Sequence, residues 1–215
     1  MSPRSSLVAA IAWRYLCHCV MLGLCVLNEA RPGPSLHDSV LALVPRNEWI
    51  AAHNYHLWIV AYVPIGLALW HQNQERFIRF MYLGGWLSLL RGVCVGLTGL
   101  GPVDGPDLNA GADHARLYSD WLVLINPVSA LTTNAPHLNL TKDLFFSGHT
   151  CSTFLLFLYC RNIPRLGPLA LAAHVVTVAV VFLAHLHYSI DVVGAWAITW
   201  AAFLFYEGAT SASDR

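Results

Sequence analysis

"KDLFFSGHTCSTFLLFLYC", residues 142–160, opens on a polar cluster and runs straight into an apolar segment. The stretch around His187, 38 residues after His149, is built the same way: "HLHYSIDVVGAWAITWAAFLF", residues 185–205. Twice, histidine and a neighbouring aspartate stand where a hydrophobic run begins. Whether those runs cross a membrane decides the fold.

Composition says that they do. The 215 residues are 56% hydrophobic and 11% charged, with a mean hydropathy of +0.53. Soluble domains carry about 25% charged residues, so the balance is that of an integral membrane protein. The formal net charge is zero, which makes nucleic acid a poor partner. The six cysteines (Cys17, Cys19, Cys25, Cys94, Cys151 and Cys160) form no CxxC pair and read as small apolar fillers.

A span needs roughly 20 mostly apolar residues. Runs near 7–27, 52–71, 77–100, 149–160, 168–185 and 189–206 qualify, the fourth and fifth divided by the turn-forming "CRNIPRLGP". Arg14 and the lack of a small-residue cleavage site argue against reading the first run as a signal peptide. The expected fold is all-α, a single six-span membrane domain over residues 1–215. "LYSDWLVLINPVSAL", 117–131, is too short and polar to span and is expected to lie half-buried under the outer loop. "NLT" at 139–141 matches a glycosylation sequon, a triplet common by chance. With the N-terminus inside, the inner segments hold Arg4, Arg76, Arg79, Arg161, Arg165 and Arg215, and the outer ones Arg31, Arg46, Arg116 and Lys142. That bias favours this orientation. Two spans lie between His149 and His187, so both return to the outer face, each at a helix N-terminus.

His187 and Asp191 are four residues apart, on one helix face. The carboxylate can accept a hydrogen bond from one imidazole nitrogen and leave the other nucleophilic. His149 is then free to act as general acid on a leaving oxygen. Ser147 and Gly148 precede it where a helix begins, and a helix N-terminus suits a phosphate. Arg91 lies inside the third span, about nine residues or roughly 13 Å from its outer end. A charge there could bind an anionic headgroup or pair with Asp143. His18, His37, His53, His56, His71, His114 and His137 read as interfacial residues, and His174 as a hydrogen-bonded core residue. His185 and His187 point about 200° apart on a helix, so neither a metal site nor a cofactor is expected.

"DLFFSGHT" (143–150) and "HYSIDVVGAW" (187–196) resemble the two signature motifs of the sphingomyelin synthase family, within the type 2 phosphatidic acid phosphatase superfamily. Its D-x3-S-G-H-T and H-Y-[ST]-x-D-V patterns are met at every specified position. Arg91 with Thr98 resembles the R-x6-T element of its third span, and "PSLHD" (34–38) echoes its first-loop motif. The likeness extends over about residues 30–207. It implies a catalytic triad of His149, His187 and Asp191, with Asp143, Ser147, Gly148, Arg91 and Tyr188 around the substrate phosphate. It further implies a membrane phospholipid donor, a ceramide or diacylglycerol-type acceptor, and a site on the exoplasmic side of a bacterial inner membrane or of Golgi or plasma membrane. Oligomerisation is left open. Thr141 and Lys142 replace the family's Cys-Gly, Ser88 a tyrosine, Ile78 an arginine and Glu207 a histidine, so headgroup and acceptor stay unassigned. Lipid phosphate phosphatases of the superfamily carry K-x6-R-P and a proline before S-G-H. This chain has no K-x6-R-P, and Phe146 stands in the proline's place. The resemblance thus favours lipid phosphotransferase over lipid phosphatase, the alternative.

Overall fold

A computed structural model describes residues 3–126, 128 and 140–213, and all regular structure among them is helical. The helices are α1 (Pro3–Glu29), α2 (Glu48–Gln72), α3 (Gln74–Thr98), α4 (His114–Ile125), α5 (Gly148–Cys160), α6 (Leu166–Leu183) and α7 (Ser189–Ser213), with one 3-10 turn at Leu41–Leu43. Each of the six expected spans corresponds to a helix. Asn139 of the sequon and His137 lie outside the described residues.

The boundaries follow from local chemistry. Asn73 alone separates α2 from α3: it ends the first helix, and its side chain accepts from Arg76 N at 3.0 Å to start the second. Asp113 caps α4 by accepting from Arg116 N at 2.8 Å, so this helix begins three residues before the expected 117. It ends at Ile125 and lies along α1, where Trp121 Nε1 donates to the Cys19 carbonyl at 2.9 Å and Tyr15 Oη to the Ile125 carbonyl at 2.7 Å. The remainder of the expected 117–131 helix lies outside the described residues, apart from Asn126 and Val128.

Side-chain contacts fix the directions of the helices. Arg14 Nη1 reaches Ser88 Oγ at 2.8 Å and Arg91 Nη1 reaches Met21 Sδ at 3.3 Å, so α1 and α3 run parallel. Thr199 meets Cys151 at 3.2 Å and Tyr159 donates to Glu207 at 2.7 Å, both pairs 48 apart, so α5 and α7 are parallel too. Between these pairs the sense reverses. Arg91 bonds the Phe146 carbonyl at one end of α3, and Phe80 packs against Tyr159 at the other. Asn47 N donates to the Leu183 carbonyl at 2.7 Å, placing the start of α2 beside the end of α6. The long helices therefore alternate in direction, as a polytopic bundle requires.

Four helices are long and apolar enough to cross a membrane by length and composition: Ser6–Glu29, Gln74–Thr98, Leu166–Leu183 and Ser189–Thr210. The count of six is thus not met on those criteria, and each of the other two helices has its own reason. α2 has the length but spends it on His53, Asn54, His56 and several tyrosines and tryptophans. α5 has 13 residues, about 20 Å of helix against a core of about 30 Å. Ahead of it the chain enters as irregular backbone, with Lys142, Leu144, Phe146 and Ser147 buried. Non-helical backbone at such depth is tolerated only where protein surrounds it.

The main core joins Phe77, Phe80, Leu83 and Leu87 of α3 to Leu155, Leu156, Leu158 and Tyr159 of α5. Outward faces stay apolar, with Val60 72%, Leu97 80% and Phe205 81% exposed, as expected where lipid replaces water. All six cysteines are free. His174 is the core residue that its mid-span position predicts: Thr153 Oγ1 and Trp196 Nε1 each lie 2.9 Å from its ring nitrogens.

Candidate active site

The N-termini of α5 and α7 meet at one end of the bundle, and the Ser147 amide donates to the Asp191 carbonyl at 3.1 Å across the junction. Ser147 caps α5, its Oγ accepting from Thr150 N at 3.3 Å. The caps leave His149 and His187 facing one another, with ring centroids 6.3 Å apart. Asp191 is fully buried and His187 3% exposed. His187 Nδ1 stands 3.6 Å from Asp191 Oδ2, beyond a hydrogen bond but within reach of a small side-chain rotation. Oδ2 meanwhile accepts from the Tyr188 amide at 2.9 Å.

Three buried polar atoms here have no hydrogen-bond partner: His149 Nε2, His187 Nδ1 and Asp191 Oδ1. Thr150 Oγ1, one residue from His149, is a fourth. Buried polar groups are normally paired, and leaving one unmade costs about 1–3 kcal/mol. Their gathering on two helix N-termini marks a place kept for chemistry or for a polar ligand. Trp58 of α2 forms its wall, edge-on to His149 with centroids 5.7 Å apart and held by a 3.1 Å hydrogen bond from Nε1 to Ser152 Oγ.

Arg91 takes the second of the two roles its position allowed. Its Nη2 pairs with Asp143 Oδ2 at 2.9 Å and also donates to the Asp143 carbonyl; Nε donates to Phe146 O at 2.7 Å, and Nη1 faces the Met21 and Cys25 sulfurs. With its donors so engaged, Arg91 positions residues 143–148 and has little left for a phosphate. Gly148 leaves room for this contact: a Cβ there would stand 3.1 Å from Arg91 Nε, closer than a side chain normally approaches. Tyr188 is likewise turned away from the histidines. Its hydroxyl accepts from Leu36 N at 2.9 Å and lies 3.2 and 3.1 Å from the Gly101 and Pro102 carbonyls. His185 also lies apart, its Nδ1 2.7 Å from Asp104 Oδ2 and its Nε2 2.8 Å from the Val44 carbonyl.

Two supports were not foreseen. Asp38, the last residue of "PSLHD", accepts from the Ser189 amide at 2.6 Å and so caps α7 from the first loop. Burial alone would raise its carboxyl, but the amides of Ser189, Leu41 and Val40 outweigh that and hold it below its ordinary value. Lys142, 2% exposed, places Nζ 2.7 Å from both Asp107 carboxylate oxygens and 2.8 Å from the Arg31 carbonyl. Its own amide donates to Glu29 at 2.6 Å. Departure from the family's pattern at Lys142 was the one signal available for this cluster.

The family described as PAP2 superfamily C-terminal matches residues 142–208, the segment that carries both histidines. Proteins named phosphatidylcholine:ceramide cholinephosphotransferase 1 from Rattus norvegicus, Homo sapiens and Sus scrofa are 30% identical over 139 residues. The match covers 60% of this chain and 32% of each relative, so the chain corresponds to about a third of their length. The chain is thus similar to the sphingomyelin synthases, as its two motifs suggest, and its C-terminal helices to the PAP2 superfamily.

Proposed function

We propose that this chain is a membrane lipid phosphotransferase, acting as one six-span unit, that moves a phospho-headgroup from a glycerophospholipid to a ceramide-type hydroxyl. The observation that carries the reading is the group of unpartnered buried atoms shared by the two motifs: His149 Nε2, His187 Nδ1 and Asp191 Oδ1. Asp191 turns toward His187 Nδ1 and fixes its tautomer, leaving Nε2 for phosphorus. As the bond from His187 forms, the phosphorus–oxygen bond to diacylglycerol breaks, and His149 gives its proton to the departing oxygen. The acceptor hydroxyl then attacks the phospho-histidine and returns a proton to His149, which frees His187. The N-terminus of α5 supplies backbone donors for the charge that develops on the phosphoryl oxygens. Arg91 and Asp143 hold that N-terminus in place.

Diester donors suit this site better than monoesters. A phosphate monoester carries nearly two negative charges, and the cation beside the histidines is already neutralised by Asp143. The relatives are named for phosphatidylcholine and ceramide, which makes those the first pair to try. In this reading the site faces the exoplasmic leaflet of its membrane, where donor and acceptor arrive laterally.

The test is reconstitution with labelled ceramide and a panel of donor phospholipids, with products identified by mass. Phosphoceramide and diacylglycerol should form in equal amounts. Free phosphate from phosphatidic acid as the dominant product would make the chain a lipid phosphatase instead.

A further inference from the structure

At the end of the bundle opposite the histidines, α3, α5 and α7 converge on a cleft of about 420 Å³. Its lining includes Arg76, Arg79, Arg161 and the carboxylate of Glu207. Among the described residues, three arginines and one acid line it. Tyr159 donates to Glu207 at 2.7 Å. Arg79 is incompletely satisfied. Its Nη1 stands 3.5 Å from Glu207 and its Nη2 3.8 Å from the 80% exposed Glu75, both too long for good hydrogen bonds. Its Nε is buried with no partner. Arg161 lies over the Phe203 ring, 5.3 Å from its centroid, a contact that orders the side chain at the rim of the cleft.

We infer that this cleft binds a phosphate-bearing anion, the headgroup of an anionic phospholipid in the leaflet opposite the proposed catalytic one. Guanidinium forks match phosphate oxygens in geometry and charge. Ordinary enrichment of basic residues at one face of a membrane protein places exposed side chains around a helix end. Here Arg76 and Arg79 are half-buried and line one concave volume with the exposed Arg161, and the buried Nε of Arg79 is left without a partner. A phosphate seated there would complete Arg79, offset the excess positive charge, and tie together three helices whose opposite ends carry Arg91, His149 and Asp191. The inference is independent of the reaction proposed above.

The experiment compares thermal unfolding of the full chain in phosphatidylcholine nanodiscs with and without a minor fraction of phosphatidylglycerol. Native mass spectrometry counts the retained lipid. The anionic lipid should raise the melting temperature by about 3 °C or more, and one phosphatidylglycerol should stay bound. Arg76→Gln combined with Arg161→Gln should abolish both effects while leaving the melting temperature in pure phosphatidylcholine within about a degree. If the double variant does not fold, Arg76→Gln alone should lose most of the retained lipid. A matching, variant-sensitive shift with inorganic phosphate or glycerol phosphate would assign the same site to a soluble phosphate. No shift in the wild-type chain, or an equal shift in the double variant, overturns the inference.

Discussion

The C-terminal segment from Gly148 through α7 carries every residue to which chemistry is proposed, whereas much of what holds those residues in place comes from α1 to α3 and their loops. His149, His187 and Asp191 lie within one segment of 43 residues. Their supports come from far away in the chain: Arg91 to Asp143, Asp38 to Ser189, Trp58 to Ser152, and Glu29 and Asp107 to Lys142. The two regions also differ in how well they are paired. Four unpartnered buried atoms gather at the histidines, against one on Arg79 of α3, while Arg91 of α3 and Asp38 of the first loop are bonded several times over. Local sequence encodes the proposed reactive groups, and long-range packing holds them in place.

If that division holds, changes in the C-terminal set should abolish turnover without unfolding the protein. His149→Ala and His187→Ala should each lower transfer by about 1,000-fold or more, with monodispersity in detergent unchanged. Asp191→Asn should leave the most residual activity, because it disturbs the tautomer without removing the nucleophile. A near-normal rate in His187→Ala would move the chemistry elsewhere.

The converse holds for Arg91, on the supporting side. Arg91→Ala leaves the Asp143 carboxylate without its cation and should cost about 3–5 kcal/mol of stability, read as a lowered unfolding temperature. Pairing Arg91→Leu with Asp143→Leu should recover most of that loss. A single variant that unfolds normally but needs far more donor lipid would make Arg91 a phosphate ligand after all.

Not all of this could be read from residues alone. The six helices and the turn at 161–165 follow from apolar run lengths and from proline and glycine. The four-residue spacing brings His187 near Asp191, though His187 lies before α7 rather than on its face, and the Arg91–Asp143 pair follows from a charge inside a span. Tyr188 belongs to a recognisable motif, but its hydroxyl bonds backbone 86 and 87 residues away, which no local pattern encodes. The same is true of Asp38 and Lys142, whose partners lie in other loops. α5 is shorter than a membrane because the buried chain before it takes up the depth, and hydropathy cannot register irregular backbone enclosed by protein.

Lys142 tests a milder form of support. Lys142→Met removes the cation between Asp107 and the Arg31 carbonyl, freeing one carbonyl where Arg91→Ala frees those of Asp143 and Phe146. The loss should be about 1–3 kcal/mol, checked by thermal unfolding, with turnover falling less than in either histidine variant.

The smallest effect concerns Asp38 and acid. Its carboxyl lies below the ordinary 3.8, so its stabilising contribution is present above that value and is lost as pH falls through the lower folded one. Protection of the first amides of α7, taken relative to their intrinsic exchange rates, should therefore weaken slightly as pH falls below 3.8, and Asp38→Asn should remove this pH dependence. An unchanged profile in the variant would show that the first loop does not fix α7 through this carboxylate.

The division between reactive and supporting regions stands or falls on whether His187 itself carries the phospho-headgroup. Wild-type protein given a phospholipid donor without acceptor, quenched in base and digested, should yield a peptide whose mass is raised by the headgroup phosphate at His187. Adding ceramide should discharge it into phosphoceramide, and His187→Ala should show neither adduct nor product. Undiminished phosphoceramide from His187→Ala, or an adduct on any other residue, would contradict the account.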